Sequence, residues 1–128
     1  MDNFEVTVET TISKQQVQDL LCNALEGGSN YWYWIDHTVY PEGENSADYE
    51  FWHLDVPFEE GGHLVFKDIE DQEGPTLGTL NLESIKRGLQ VMADKFSKHF
   101  HDFITENDDA ITGDVFLQCG LFGDVIYA

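Results

Sequence analysis

Glu59-Glu60-Gly61-Gly62-His63-Leu64-Val65-Phe66-Lys67-Asp68-Ile69, followed by the turn Gln72-Glu73-Gly74-Pro75 and then Thr76-Leu77-Gly78-Thr79-Leu80, decides the fold. Two short apolar runs bounded by glycine-rich turns read as strands joined by hairpins. Connections this short pair strands antiparallel, because a parallel pair needs a crossover of a dozen residues or more. Upstream, Tyr49 to Val56 reads as another strand leading into the Glu59-Gly62 turn, and Tyr31 to Ile35 as an aromatic strand before the polar loop Pro41 to Ser46. Phe4 to Thr11 alternates Phe4, Val6 and Val8 with Glu5, Thr7 and Glu9, the period of a half-buried strand.

Helices flank this strand cluster. Ser13 and Gln16 form a capping box ahead of Val17, Leu20, Leu21, Ala24 and Leu25, and Gly27-Gly28 closes that helix. Asn81 caps a long helix, Leu82 to Thr105, with an apolar stripe through Ile85, Leu89, Met92, Phe96, Phe100 and Phe103. Thr112 or Asp114 opens a short helix through Phe116, Leu117 and Leu121, stopped by Gly123, and Asp124 to Tyr127 closes as an edge strand. The expectation is one α+β domain over residues 1–128. It has an antiparallel sheet of about four to five strands with helices on one face, in the order β-α-β-β-β-(β)-α-α-β.

The charge is the second decisive feature. Among 128 residues, 25 Asp and Glu face 6 Lys and Arg, a formal net charge of −19. Hydrophobic content of 41% is ample for a core and argues against disorder. A globule of this length is about 36 Å across, and duplex DNA of that length carries on the order of 20 phosphate charges. The chain thus matches DNA in charge density, and direct binding to nucleic acid or to an anionic membrane through a basic patch is not expected. No apolar run approaches the roughly 18 residues of a membrane span. Met1-Asp2-Asn3-Phe4-Glu5 lacks the basic and apolar regions of a secretory signal, so a cytoplasmic location is expected. Cys22 and Cys119 are too few for a disulfide scaffold and read as reduced thiols.

The acids are unevenly placed. From Asp36 to Glu73 the single cation is Lys67, whereas Lys86, Arg87, Lys95 and Lys98 all fall on the long helix. The candidate partner-binding residues are Glu42, Glu44, Asp48, Glu50, Glu59, Glu60, Asp68, Glu70, Asp71 and Glu73. Carboxylates arranged like phosphates steer association and form charge-assisted bonds to Arg and Lys. The alternative site is Gly27, Gly28, Ser29, Asn30, Tyr31, Trp32, Tyr33 and Trp34. There, backbone amides would hold a phosphate and rings would stack a base. On a strand Tyr31 and Tyr33 take one face, Trp32 and Trp34 the other. His99 and His101 diverge by about 200° on a helix and cannot chelate one ion. His37, His53 and His63 near Asp36 or Asp55 form only a weak metal candidate. No HExxH, GxSxG or Walker pattern is present, so neither an enzyme nor a cofactor is expected.

Three strings carry a family likeness: Glu26-Gly27-Gly28-Ser29-Asn30-Tyr31-Trp32, Glu106-Asn107-Asp108-Asp109, and Leu121-Phe122-Gly123-Asp124-Val125-Ile126-Tyr127. Together they resemble small acidic proteins encoded by phages, prophages and plasmids. In composition the chain is similar to the DNA-mimic anti-CRISPR and anti-restriction proteins of such elements. That likeness implies a non-enzymatic inhibitor of a host nucleic-acid-handling defence complex, a CRISPR effector or restriction enzyme, working through its acidic surface. Two other readings stay open: sequestration of a nucleotide second messenger by the Gly27 to Trp34 segment, and a mobile-element protein with no defence role. A homodimer is also open.

Overall fold

The computed structural model describes residues 3–27 and 29–127. Its elements are helix α1 (Lys14–Gly27), strand β1 (Tyr33–Val39), the short helix α2 (Trp52–Asp55), strands β2 (His63–Asp68) and β3 (Thr76–Leu80), and helices α3 (Leu82–Lys95), α4 (Ser97–Ile104) and α5 (Ala110–Phe122). Single 3-10 turns cover Ser29–Tyr31, Ser46–Asp48 and Val56–Phe58. The fold is α+β, with one antiparallel sheet in the order β1-β2-β3. Tyr33 pairs with Asp68 and Val39 with His63, with a bulge between Ile35 and His37.

The core forms where α5 lies against α1 and α3 and touches β3. Helix α5 is apolar all round, and its residues 115–121 are buried, as expected of a helix enclosed on several sides. Glycines set the spacing. A Cβ on Gly113 would lie 2.5 Å from the Ala24 nitrogen of α1, and one on Gly88 would lie 2.9 Å from the Gly120 Cα. Leu20, Leu21 and Ala24 of α1, Met92 of α3, and Leu64, Phe66 and Leu80 of the sheet complete the interior.

Several expectations are corrected. Among the described residues the sheet has three strands, not four or five. Residues 4–11 pair with nothing among the described residues and run exposed despite their alternation. Residues 49–56 form no strand. Asn45 caps a turn there, accepting from the Ala47 N–H at 2.9 Å, and Trp52–Asp55 coil into α2. Apolar Trp52 and Val56 fit a helical turn as well as a strand, and no sheet edge reaches them. The aromatic strand begins at Tyr33, because Ser29–Tyr31 form a 3-10 turn. The long helix breaks at Phe96 (φ −128°, ψ 53°), which lets α4 fold Phe103 into the core. An apolar stripe continues through such a break, so spacing alone does not mark it.

The last helix starts earlier, at Ala110. Asp109 Oδ1 accepts from the N–H groups of Ile111 and Thr112, both at 3.0 Å. Residues 124–127 form no strand either. The fully buried Gln118 takes the place of a neighbouring strand: its Oε1 accepts from the Ile126 and Tyr127 N–H groups at 2.8 Å each, and its Nε2 donates to the Tyr127 carbonyl at 3.1 Å.

Candidate functional site

The sheet places the ten candidate acids in two lobes. The first lies where β1 ends and β2 begins, since Val39 pairs with His63. There the loop after β1 carries Glu42, Glu44, Asp48 and Glu50, and the turn before β2 carries Glu59 and Glu60, all six exposed. The two segments meet: an added Cβ on Gly61 would lie 3.9 Å from the Pro41 Cα. Tyr49 organises this lobe. Its hydroxyl donates to Glu44 Oε2 at 3.0 Å. Its ionisation is pushed up to about 12 by exclusion of water, by that hydrogen bond, and by the negative field of Glu44, Glu59 and Asp48. Asp48 is tied down locally, accepting from the Asn45 N–H at 2.8 Å.

The second lobe is the turn between β2 and β3. It holds Asp68, Glu70, Asp71 and Glu73, of which all but the half-buried Asp68 are exposed. Six-residue β2 separates the lobes by roughly 17–20 Å. Asp68 accepts from the Glu70 N–H at 2.8 Å, and burial, with Asp68 adding to it, pushes the ionisation of the neighbouring Tyr127 phenol up. The acids thus gather at two ends of one sheet. These ten do not form a single strip, and other exposed acids, Glu5, Glu9, Asp19, Glu26, Glu83 and Asp94 among them, lie elsewhere on the surface.

Cations do little to neutralise either lobe. Among the described residues, Glu59 alone of the ten has an ion pair, with Lys14 at 3.7 Å. Lys67 is directed to Asp36 at 3.7 Å. Asp36 also binds His37 at 2.7 Å, and the two contacts hold its carboxyl below the usual carboxylate range, the His37 hydrogen bond more than Lys67. On α3, Arg87 donates to the Gly120 carbonyl and Lys95 to the Gly123 carbonyl at 3.4 Å. Both cations therefore serve the C-terminal end of α5, where helix carbonyls favour positive charge.

The alternative segment is taken up internally. Trp32 and Tyr33 are both buried, while Tyr31 and Trp34 are exposed, so the expected split of rings between faces does not occur. Trp32 stacks on Tyr127 with centroids 4.9 Å apart, and Tyr33 meets Phe66 edge-on. Asp114 of α5 buckles the segment. It accepts from Trp32 Nε1 at 2.8 Å, the Tyr31 hydroxyl at 2.9 Å and Gln118 Nε2 at 3.1 Å. Burial and Asp114 push the Tyr31 phenol up to about 12. Gly27 packs towards Ala110, Asn30 is exposed, and Gly28 and the Ser29 side chain lie outside the described residues. Of the eight residues, Tyr31 lines an adjacent groove of about 540 Å³, shared with Ile111, Asp114, Val115, Val125 and Tyr127. Asp114 and Gln118 escape a reading by motif. The available signal is a pair of polar residues four apart in an otherwise apolar helix.

Among the described residues no three His, Cys, Asp or Glu side chains stand where they could share a metal ion. Both cysteines are free. Cys22 is pushed up to about 11, chiefly by its hydrogen bond to Glu26, and Cys119 to about 12, chiefly by burial. No described helix is long and apolar enough to cross a membrane. No protein-family model, curated protein or solved structure matches the chain.

Proposed function

We propose that the chain is a non-enzymatic inhibitor that sets its two acidic lobes into a Lys/Arg-lined groove on a nucleic-acid-handling protein. The observation that carries this reading is the segregation of charge. Exposed carboxylates stand at both ends of the sheet almost without cationic partners, while Arg87 and Lys95 are spent on the carbonyls of α5. Such an arrangement leaves the negative field open to an incoming basic surface, where it speeds association and selects against acidic partners. The likeness in composition to DNA-mimic proteins of mobile elements points to a CRISPR effector or restriction enzyme as the partner class. A cytoplasmic site of action goes with that partner. Nucleotide sequestration has less support, because Trp32 and Tyr33 are already stacked within the protein.

The test is competition for DNA on purified CRISPR effector complexes and restriction enzymes. The chain should displace DNA at low salt and lose potency as salt rises through the physiological range. The variant E42K/E50K/E60K/E73K reverses acids whose side chains make no hydrogen bond or ion pair among the described residues, so it should fold normally and fail to compete. Undiminished inhibition by that variant at physiological salt rejects the proposal.

A further inference from the structure

The segment before α1 is built like a strand but has no strand beside it. Phe4, Val6 and Val8 are 93%, 82% and 77% exposed. Among the described residues, no backbone hydrogen bond involves residues 4–12. Side chains exposed to this degree, at alternate positions of a β-prone sequence, mark a surface that another chain covers. The sheet supplies a matching surface. Strand β1 stands at its edge, bonded to β2 on one side only, and an unpaired edge is a template for strand addition.

We infer that residues 4–11 add as a fourth strand to the β1 edge of a second copy of this chain, reciprocally, to form a two-fold dimer. The lengths agree: an eight-residue arm spans about 26 Å and seven-residue β1 about 23 Å. The side-chain pattern agrees as well. Tyr33 and Ile35 of β1 face the core, while Trp34 stands directly opposite Lys67 on the other face. With Phe4, Val6 and Val8 continuing the Tyr33 and Ile35 face, Glu5 and Glu9 fall on the face that carries Lys67. Two strand spacings, about 9.6 Å, then separate these acids from the sheet's one cation, close to the Debye length at moderate salt. Phe4 alone offers roughly 150–250 Å² to such an interface. In the single chain the arm instead crosses α3 and α4, where residues 7–12 border an open groove with Lys86, Leu89, Gln90, Ala93 and Phe100.

Sedimentation velocity from micromolar to sub-millimolar concentration, at low and high salt, tests this. Two copies of net charge −19 repel, so the dimer should strengthen with salt, opposite to binding of a basic partner. Successive N–H groups of a strand point to opposite sides. The variant V6P/T7P therefore removes a donor whichever side faces β1, and should weaken the dimer at least about tenfold. V6I keeps the branched apolar shape and the N–H and should dimerise nearly as the wild type does. Dimer formation should also shift Trp34 emission to the blue. A wild type that stays monomeric at both salts, or a V6P/T7P variant that dimerises normally, overturns the inference. Neither result bears on the acidic lobes, which these substitutions leave intact.

Discussion

Replacing Gln118 with Met tests whether one buried amide holds the C-terminal segment in place. Gln118 is fully buried and makes four hydrogen bonds: from the Ile126 and Tyr127 N–H groups, to the Tyr127 carbonyl, and to Asp114 Oδ1. Met has similar volume, so little cavity arises. The net worth of each bond is about 1 kcal/mol, giving about 4 kcal/mol if all four are lost with nothing in return. Water reaching the freed backbone groups of residues 124–127 recovers part of that, while loss of the Tyr127 stack on Trp32 adds to it. The expected destabilisation is therefore about 2–4 kcal/mol, a large share of the roughly 5–15 kcal/mol typical of a domain. It should appear as a fall in Tm of roughly 6–14 °C. Urea titration followed by far-ultraviolet circular dichroism measures it. Near-ultraviolet dichroism of the folded variant should separately report the lost Trp32–Tyr127 stack. Stability within about 0.5 kcal/mol of wild type would refute the reasoning.

Asp109 caps α5, and D109A should lose about 1–2 kcal/mol in the same titration, whereas D109N keeps the cap. Its carboxyl is held below the usual range, chiefly by the Thr112 N–H. That contribution to wild-type stability is present above the unfolded value near 3.9 and is lost as pH falls through the lower folded value; D109N should lack this part of the acid limb. Tyr31, Tyr33 and Tyr49 are each pushed up to about 12. Their stabilising contribution should be lost as pH rises from about 10 through 12, with late phenolate absorbance at 295 nm in the folded protein as the readout. G113A forces a Cβ to 2.5 Å from the Ala24 nitrogen and should destabilise by about 3 kcal/mol. G123A (φ +72°, open surroundings) should cost only about 1 kcal/mol by thermal unfolding. Neutralising Glu42, Glu50, Glu60 and Glu73 to Gln should raise Tm at low salt and leave it unchanged at high salt, because these side chains add repulsion and hold nothing.

Features encoded by neighbouring residues were legible in the sequence. The Ser13 and Gln16 box closes as read, with the Gln16 N–H donating to Ser13 Oγ at 3.1 Å and the Ser13 N–H to Gln16 Oε1 at 2.9 Å. Asn81 caps α3, and the β2 to β3 hairpin follows from its glycine turn. Features decided by distant partners were not legible. Residues 4–11 and 124–127 both have strand chemistry. The first finds no edge within the chain, and the second finds the Gln118 amide instead of a backbone. Trp32 is buried because Asp114, 82 positions away, receives its indole N–H, and strand alternation cannot reveal such a contact. Acid positions were legible as a list, but their gathering into two lobes depends on the antiparallel register of β1 and β2.

That division clarifies what so acidic a chain must solve. One set of carboxylates does structural work where donors converge: Asp109 at the start of α5, Asp114 beneath Trp32 and Tyr31, and Asp36 between His37 and Lys67. Of these, Asp36 and Asp109 lie among groups that stabilise negative charge and hold their carboxyls below the usual range. The other set, in loops at the ends of the sheet, has few such partners and contributes mainly mutual repulsion. Solubility alone would be served by spreading those charges apart, since repulsion falls with distance and a coat dilutes it. Placing Glu44, Asp48 and Glu59 near one phenol does the reverse: the Tyr49 ionisation is pushed up first by exclusion of water, then by the Glu44 hydrogen bond, and further by the field of all three acids. Such concentration lowers the stability of the free protein, and it is relieved when cations from outside enter the lobe. An arrangement less favourable alone than when covered by positive charge is the thermodynamic form of a binding surface. It is for that reason, more than for the total charge, that we propose a basic partner for the two lobes.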